Sequence, residues 1–166
     1  MTEKVIFEKT PIKNSKIWIF QANPARFDVL AALSNPVLVN QVWLVNQYKN
    51  QIQCSDIALI WIAGKKAGIY AIAEITSDPV FMVESSEEEQ YWVREIDKRQ
   101  SRLRVNVKIV KRIIDSPLLR EELKVTAGLT QLSILRFSQR SNFPISQNEW
   151  EIIKRIIIAD GMCDKI

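Results

Sequence analysis

Two short apolar segments joined by a glycine-containing turn constrain the fold of this chain more than any other feature. The segments are Ile57–Ile62 (IALIWI) and Ile69–Ala73 (IYAIA), and the turn between them reads Ala-Gly-Lys-Lys-Ala-Gly. Apolar runs of this length, rich in isoleucine and aromatic residues and bounded by glycine, are typical of paired strands that are buried on both faces. We therefore expect the pair to belong to a closed or tightly curled sheet.

The second segment carries side chains of different size on its two faces. Because side chains alternate along a strand, Ala71 and Ala73 point to one face, and Tyr70 and Ile72 point to the other. The small alanine face predicts room for a pocket. Aromatic and cationic residues lie near it in the sequence, namely Trp43, Trp61, Lys65 and Lys66. An aromatic wall with a positive rim favours the binding of nucleotides.

The bulk composition fits one globular domain. The chain has 166 residues, of which 47% are hydrophobic and 25% are charged. No apolar run approaches the roughly 20 residues of a membrane helix, and the N-terminus lacks the pattern of a signal peptide, so we expect a cytoplasmic protein without membrane contact. Cys54 and Cys163 match no zinc spacing, which predicts neither a structural metal nor a disulfide scaffold.

The chain contains no histidine, and this absence excludes whole classes of enzyme. Histidine is the usual general base near neutral pH and the usual partner of serine and cysteine nucleophiles, so catalytic triads and histidine-ligated metals are excluded. The glycine-rich fingerprints of dinucleotide and triphosphate binding are also missing, and we expect no cofactor. Catalysis by carboxylates alone stays open.

Positive charge is concentrated in one part of the chain. The net charge is only +4, yet residues 94–112 carry eight basic side chains against two acidic ones. Such segregation is typical of a surface that meets a polyanion. Within this region Leu103, Val105, Val107 and Ile109 alternate with polar residues, which predicts a half-buried strand whose outer face is cationic.

Local signals predict several further elements. Residues 1–15 read as a lead-in and residues 16–21 as a strand; Asn23 and Pro24 then predict the start of a helix whose apolar face is Phe27, Leu30, Ala31 and Leu33. Residues 42–45 are either a strand or a turn. Residues 79–83 read as a strand, the acidic run 84–89 as a solvated loop, and residues 116–123 as a short helix.

The last helix has the clearest signals. Ser146 and Glu149 form a capping box, Ile145 and Trp150 are placed as a hydrophobic staple, and Gly161 is expected to end the helix. No repeat or linker divides the chain. We predict one α+β domain over residues 16–166, with five or six strands and about three helices.

The order of these motifs resembles the EVE domain, a member of the PUA-like superfamily and a sibling of the YTH domains that read methylated adenine. The matching segments are WIFQANP from Trp18, Val42-Trp43 with Tyr48, IALIWIAGKKAGIYAIAEI from Ile57, and FSQRSNFP from Phe137 followed by the capped helix. The resemblance spans about residues 16–158. One departure is Ser55 before Asp56, where the family usually has glycine.

The resemblance implies a small, strongly curved mixed β-barrel flanked by helices, with a pocket for a modified or extruded nucleobase. Transferred by position, the base pocket would comprise Gln21, Ala22, Asn23, Trp43, Ala63, Gly64, Ser141 and Asn142. The nucleic-acid backbone would meet Lys65, Lys66, Arg102, Arg104 and Arg140. Trp43 is the candidate for stacking on the base, whereas Trp18, Trp61 and Trp150 are expected in the core.

We therefore expect a non-enzymatic module that recognises a modified, methylated or hydroxymethylated base in DNA or RNA. A nuclease or helicase is an expected functional partner, and the oligomeric state stays open. One alternative is general RNA binding by the basic face without a base pocket. A second is an enzyme that acts on nucleotides through Asp56, Glu74 or Asp78.

Overall fold

The computed structural model describes residues 15–163, and the predicted lead-in falls outside this range except for Ser15. The strands are β1 (Ile17–Ala22), β2 (Asn40–Leu44), β3 (Ile57–Ile62), β4 (Gly68–Ile75), β5 (Val80–Met82), β6 (Arg102–Arg112), β7 (Leu118–Leu119) and β8 (Asn142–Ile145). The helices are α1 (Val29–Ser34), α2 (Ser86–Glu89), α3 (Arg120–Leu123), α4 (Ser133–Arg136) and α5 (Gln147–Cys163), and Glu95–Asp97 form a single 3-10 turn.

All eight of these strands belong to one mixed sheet. Its order is β2-β6-β4-β3-β1-β8, with β5 added beside β6 and β7 beside β4. Strands β1 and β3 run parallel, and the other pairs are antiparallel. The sheet curls into a half-barrel with helices at its flanks, which confirms the predicted α+β class with a strongly curved mixed sheet. The strands and helices beyond the predicted five or six strands and three helices are too short for hydrophobic periodicity to detect.

The central strand pair is confirmed, but the room expected beside its alanines is filled. Strands β3 and β4 pair antiparallel, and nearly all of their side chains are buried. Ala71 and Ala73 are fully buried in a cluster with Phe20 and Val107, and neither lines a cavity described below. The small side chains therefore allow close packing of the core rather than ligand binding.

The core has two clusters, which place the predicted core tryptophans as expected. One cluster contains Trp61 and Trp150 together with Ile153 and Ile157 of α5. The other contains Trp18, together with Trp43 and the inward-facing residues of β6. On β6 the predicted alternation holds, since Val105, Val107 and Ile109 are buried. The sheet thus has an apolar layer on each face.

The start of α5 is confirmed and its end is not. The Ser146 hydroxyl accepts from the Glu149 amide at 3.2 Å, and Glu149 Oε1 accepts from the Ser146 amide at 2.9 Å, which is the predicted capping box. The prediction that Gly161 ends the helix is wrong, because α5 continues to Cys163. Glycine within a helix is tolerated at about 1 kcal/mol, so its presence alone does not end one.

The predicted helix at Asn23 is also corrected. The Asn23 side chain accepts from the Ala25 amide at 2.9 Å and so forms a local turn. Helix α1 begins later, where Asp28 accepts from the Ala31 amide at 3.2 Å. Its buried face is Val29, Ala32 and Leu33, and Leu30 is exposed. Asn and Asp side chains favour turns as well as caps, which explains the error.

Two further segments differ from the sequence prediction. Residues 42–45, left open between strand and turn, belong to β2 up to Leu44. The helix expected from Ser116 begins only at Arg120, because Leu118 and Leu119 first pair with Ile69 and Gly68 of β4. Pairing with an existing strand edge satisfies backbone groups that a first helical turn would leave open.

A buried carboxylate ties β1 to the turn before β3. Asp56 Oδ1 accepts from the Lys16 amide at 3.0 Å, and Oδ2 accepts from Trp18 Nε1 at 2.9 Å and from the Gln53 amide at 3.0 Å. The preceding Ser55 has φ of 78°, a left-handed conformation that favours glycine. Ser55 therefore adopts the same turn conformation that the family's usual glycine would adopt at this position.

Candidate functional site

A cavity opens where the end of β1, the edge strand β2 and the segment around α2 meet. Its volume is about 190 Å³. An engineered cavity of about 150 Å³ holds benzene, and sites for drug-sized ligands reach about 300–1,000 Å³, so this one suits a single small ring system. The cavity is lined by Gln21, Ala22, Asn23, Arg26, Phe27, Val42, Trp43, Leu44, Asn46, Glu84, Glu88, Trp92, Arg102, Arg104 and Ser141.

A buried ion pair lies in its wall. Glu84 and Arg104 side chains are each only 2% exposed, and Glu84 Oε2 lies 3.5 Å from Arg104 Nη2. Neither of these two atoms has a hydrogen-bond partner. Burial lowers the pKa of Arg104 and the Glu84 charge opposes that shift, but an arginine stays protonated in proteins. The pair is thus buried and incompletely hydrogen bonded.

The other half of each group is firmly held. Arg104 Nη1 donates to the carbonyl oxygens of Met82 at 2.7 Å and Gln100 at 2.9 Å. Glu84 Oε1 accepts from the Arg99 amide at 2.6 Å. These bonds fix both side chains, and the remaining atoms Glu84 Oε2 and Arg104 Nη2 face each other without a hydrogen bond. The prediction that Arg104 lies on an exposed rim is therefore wrong, because the segment between β5 and β6 covers it.

Trp92 supplies a second unpartnered donor. Its indole packs edge-on against Phe27, with ring centroids 5.0 Å apart. The buried Nε1 has no hydrogen-bond partner, although buried indole N–H groups usually find one. Four buried side-chain nitrogen or oxygen atoms of the described residues are unpartnered, and three belong to this cavity wall: Glu84 Oε2, Trp92 Nε1 and Arg104 Nη2.

Glu88 has a structural role in the same wall. Its Oε2 accepts from the Val42 amide at 2.9 Å, and its Oε1 accepts from the Ser85 hydroxyl at 3.0 Å. Burial raises the pKa of Glu88, and these hydrogen bonds and the Arg104 charge oppose the rise. The Glu88 carboxylate accepts a hydrogen bond from a backbone amide of the edge strand β2 and so joins α2 to β2. The acidic run is thus only partly solvated, contrary to the sequence prediction.

The mouth of the cavity is positively charged. Arg26 and Arg102 line it, and the Arg26 side chain is 48% exposed. Asp97 accepts from Arg94 at 2.8 Å and from Arg26 at 2.7 Å, and these bonds hold the pKa of Asp97 well below its usual range. Asp97 therefore stays ionised and holds the guanidinium group of Arg26, which lines the cavity.

Several predicted pocket residues come together here, but most of their polar side-chain atoms are engaged. Gln21 Nε2 donates to the carbonyl oxygens of Ser138 at 2.9 Å and Arg140 at 2.6 Å. The Ser141 hydroxyl accepts from Asn46 at 2.7 Å. Gln21, Ala22, Asn23 and Ser141 all line the cavity. They shape its wall, and the fold holds Gln21 Nε2, Asn23 Oδ1 and the Ser141 oxygen while leaving Gln21 Oε1 and Asn23 Nδ2 without a hydrogen bond to the described residues.

Trp43 also lines the cavity, while most of its ring is in the core. The residue is 6% exposed, packs in the second core cluster and donates from Nε1 to Gln41 Oε1 at 3.1 Å. Its indole N–H is therefore not available to a ligand. Trp92, which sequence reasoning did not single out, is the cavity tryptophan with a free N–H.

Asn142 is placed beside the cavity rather than in its lining. It is fully buried, accepts from the Asn46 and Gln47 amides at 2.8 and 3.2 Å, and donates to the Leu44 carbonyl at 2.9 Å. These bonds tie β8 to the end of β2. The prediction that Asn142 belongs to the base pocket is corrected, because the residue is absent from the cavity lining and the fold already uses its side chain.

The β3–β4 turn lies at a second cavity. Ala63 and Gly64 line it together with Gln21, Trp61, Ala67, Arg120, Ile134 and Ser138, and its volume is about 220 Å³. The fold therefore separates these two residues from the cavity of Trp43. Lys65 and Lys66 are exposed in this turn. Arg140 is exposed and lies over the Phe137 ring, 5.2 Å from its centroid.

Two classes of site find no support in the described residues. No group of three or more side chains from histidine, cysteine, aspartate and glutamate is placed to hold a metal ion there. Within the same part of the chain, no helix is long and apolar enough to span a bilayer.

Solved structures share this fold at low sequence identity. A hypothetical protein from Leishmania major aligns with a TM-score of 0.62 and 21% identity, covering 90% of this chain and 98% of that one. A Pseudomonas putida protein gives 0.59 and 22%, covering 82% and 96%. Human THYN1, solved in complex with 5-methylcytosine containing DNA, gives 0.57 and 17%, covering 86% and 97%. These likenesses establish the fold.

The sequence comparisons identify the family. No curated protein matches the chain at a significant level. The family model of the EVE domain matches residues 16–156, which include every strand of the sheet and most of α5. The chain therefore belongs to the EVE domain family.

Proposed function

We propose that this EVE domain is a binding module that takes one modified nucleobase of DNA into the cavity between β1, β2 and α2. The observation that carries the proposal is a cavity of single-base size whose wall combines aromatic side chains with buried, unpartnered hydrogen-bonding atoms. The human THYN1 neighbour, solved with 5-methylcytosine containing DNA, supports DNA as the polymer. A base inside a duplex must be extruded to enter such a cavity.

Aromatic side chains would bind the base, and cationic side chains would bind the phosphate backbone of the nucleic acid. Phe27, Trp43 and Trp92 give the wall its aromatic surface, and stacking on such a side chain is worth about 1–3 kcal/mol per base. Arg26 and Arg102 at the mouth are placed to meet phosphates, which position the strand without reading its sequence. Lys65, Lys66 and Arg140 remain candidates for backbone contacts farther along the strand.

The apolar wall supplies a physical basis for sensing a methyl group. Val42, Leu44 and Phe27 line the cavity, whereas Ala71 and Ala73 do not. A buried methyl group contributes about 0.8 kcal/mol, which is about a fourfold gain in affinity. The module thus favours a methylated base modestly, and a lost hydrogen bond or a clash is needed for stronger selection.

In this proposal the base is held and no bond of it is broken. Asp56, Glu74 and Asp78, the residues considered for carboxylate chemistry, line neither cavity. Asp56 accepts three hydrogen bonds and Asp78 accepts from the Cys54 amide at 2.9 Å, so both have structural partners. Their placement favours binding over turnover.

The test is binding of short DNA and RNA oligonucleotides at fixed salt, carrying 5-methylcytosine, 5-hydroxymethylcytosine, N6-methyladenine or no modification. Trp92→Ala is compared with Phe81→Ala, which removes an exposed aromatic ring outside the cavity lining. We expect preference for one modified DNA, weakened about 10- to 100-fold by Trp92→Ala and little changed by the control. Equal, salt-sensitive binding of every oligonucleotide by all three proteins would leave only general nucleic-acid binding and contradict the proposal.

A further inference from the structure

The second cavity, at the β3–β4 turn, has a lining that the proposed function does not use. Part of this lining is apolar, since Trp61 and Ile134 are each only 2% exposed. Its polar side chains are Gln21, Arg120 and Ser138. The volume of about 220 Å³ exceeds the roughly 150 Å³ of a cavity that holds benzene, so a small organic group fits inside.

Arg120 is the charged residue of this lining, and its guanidinium group lacks partners. Its buried Nε has no hydrogen bond. Its terminal nitrogens form no hydrogen bond or ion pair with any residue that the structure describes. Arg112 is also partly buried, yet it donates from Nε to the Leu33 carbonyl at 2.7 Å. The fold therefore satisfies one of these two arginines and leaves the other open to a ligand.

The acidic residues that follow Arg120 in sequence have other partners. Glu121 Oε1 accepts from Lys124 Nζ at 3.1 Å, and Glu122 Oε2 accepts from the Leu119 amide at 3.0 Å. No acidic residue lines the cavity. A partly buried cation without a counter-ion is unfavourable, so the binding of an anion here would be favoured.

The two chain segments that wall the cavity add positive charge. Residues 57–73 contain two lysines and no acidic residue, and residues 125–148 contain two arginines and no acidic residue. These four basic residues are Lys65, Lys66, Arg136 and Arg140. Charges of one sign around a cleft raise the local concentration of the opposite ion. The surroundings thus favour an anion that carries more than one negative charge.

A phosphate group fits these observations better than a carboxylate. The guanidinium N–H groups form a planar fork that matches two phosphate oxygens. A phosphate monoester carries between one and two negative charges near neutral pH, whereas a carboxylate carries one. The apolar contacts of Trp61 and Ile134 favour a phosphate with an organic group attached over a bare inorganic ion.

We propose that the second cavity binds a phosphate ester, with the phosphate on Arg120 and the organic part against Trp61 and Ile134. This site is separate from the base cavity and does not depend on a modified base. Two sources carry the same chemistry, namely a free sugar phosphate and a strand phosphate of a bound nucleic acid. Gln21 lines both cavities, so a strand that enters one lies next to the other.

The first arm of the experiment tests the free source. Wild type, Arg120→Gln and the control Arg155→Gln are titrated with 2-deoxyribose 5-phosphate and with neutral deoxyribose at fixed ionic strength. Arg155 is exposed on α5 and lines neither cavity, so its variant removes the same charge elsewhere. Circular dichroism and thermal melting establish that each variant is folded. For a free source we expect binding of the phosphate alone, weakened about 10- to 100-fold by Arg120→Gln and unchanged by the control.

The second arm tests the strand source. Oligonucleotides carrying 5-methylcytosine are prepared with one phosphodiester at a time replaced by a neutral methylphosphonate. If a strand phosphate occupies the cavity, one replacement should weaken binding by wild type about 10- to 100-fold and should have no further effect on Arg120→Gln. If the ligand is a free ester, no replacement should depend on Arg120, and the first arm should show binding. Either pattern supports the phosphate site and identifies its source.

A folded Arg120→Gln that behaves like Arg155→Gln in both arms would overturn the proposal. The proposed function would fail by a different result, namely the absence of any preference for a modified base. Should Arg120→Gln not fold, NMR of wild type follows the backbone amides of Ala67 and Ser138 during titration with each probe. We expect both signals to shift with at least one probe, and unchanged signals with both probes would equally overturn the phosphate site.

Discussion

Asp56 and Glu84 are both buried carboxylates, yet their surroundings indicate opposite roles. Asp56 is fully buried and accepts three hydrogen bonds shared between its two oxygens. Glu84 accepts one bond on Oε1 and leaves Oε2 without a hydrogen bond beside a cavity. Burial of charge alone therefore does not indicate a functional site in this protein. The hydrogen-bond count separates Asp56, whose two oxygens are held by the fold, from Glu84, whose Oε2 has only the Arg104 guanidinium opposite it at 3.5 Å.

The tryptophans also differ in whether the fold supplies a hydrogen-bond partner for the indole N–H. Trp18 Nε1 donates to Asp56 and Trp43 Nε1 donates to Gln41, whereas Trp92 Nε1 has no partner. Each of these donors is buried, so the difference lies in what the fold supplies around it. The comparison predicts that equal chemical changes will affect stability in one region and binding in the other.

Loss of the Asp56 carboxylate should give the largest effect of any change considered. Asp56→Ala leaves the Lys16 and Gln53 amides and the Trp18 indole without their acceptor, and we expect a loss of about 3–5 kcal/mol in the free energy of unfolding. Urea denaturation measures the loss. Residual folded protein should bind the preferred oligonucleotide normally, and a stable variant with impaired binding would contradict a purely structural role.

Trp18→Phe should lower the free energy of unfolding by less than Asp56→Ala does. The change removes one hydrogen bond to a buried carboxylate, which is worth about 1.5–3 kcal/mol, and leaves the other two donors in place. Affinity for DNA should not change, because Trp18 lies in the core and outside the cavity lining. Chemical denaturation and oligonucleotide titration of the same preparation would reveal either effect.

Trp92→Phe makes the identical chemical change beside the cavity. A smaller aromatic ring that can still pack on Phe27 replaces the indole, and the free N–H is removed. We expect no loss of stability and about a fivefold loss of affinity, corresponding to about 1 kcal/mol for one hydrogen bond. Should Trp92→Phe lower stability and leave affinity intact, the assignment of Trp92 to the ligand would be wrong.

The smallest effect is expected for Glu88→Gln and depends on pH. Burial raises the pKa of Glu88 in the folded protein, so proton uptake stabilises the fold below the unfolded pKa and this stabilisation is lost as pH rises through the folded pKa. Glutamine has no such dependence. The stability advantage of wild type over the variant should therefore be greatest in acid and shrink towards neutral pH. Urea denaturation at pH 4 and pH 7 measures it, and an advantage that grew with pH would contradict the stated burial.

The fold could be predicted largely from sequence because its signals are local. The apolar segments of β3 and β4, the alternation along β6 and the Ser146–Glu149 capping box each determine the structure of their own segment. The family resemblance then supplied the order of these elements. Elements of two to four residues, such as β7 and α4, carry too few side chains for such patterns.

The candidate site was harder to predict because it depends on contacts between distant segments. The acidic run reads as a solvated loop, yet the backbone amides of Val42 and Arg99 bind Glu88 and Glu84. Alternation places Arg104 on the outer face of β6, and only the covering segment buries it. One local signal was available, since Ser85 and Glu88 have capping-box spacing and mark a short helix within the run.

The most direct measurement follows the indole N–H signals of the five tryptophans by NMR during titration with an oligonucleotide that carries 5-methylcytosine. Trp→Phe variants assign the signals. We expect the Trp92 signal to shift and its N–H to exchange more slowly with water on binding, while the signal of Trp18, whose N–H is already bonded to Asp56, stays in place. Saturable binding with an unchanged Trp92 signal would contradict the claim that the cavity lined by Trp92 receives the base.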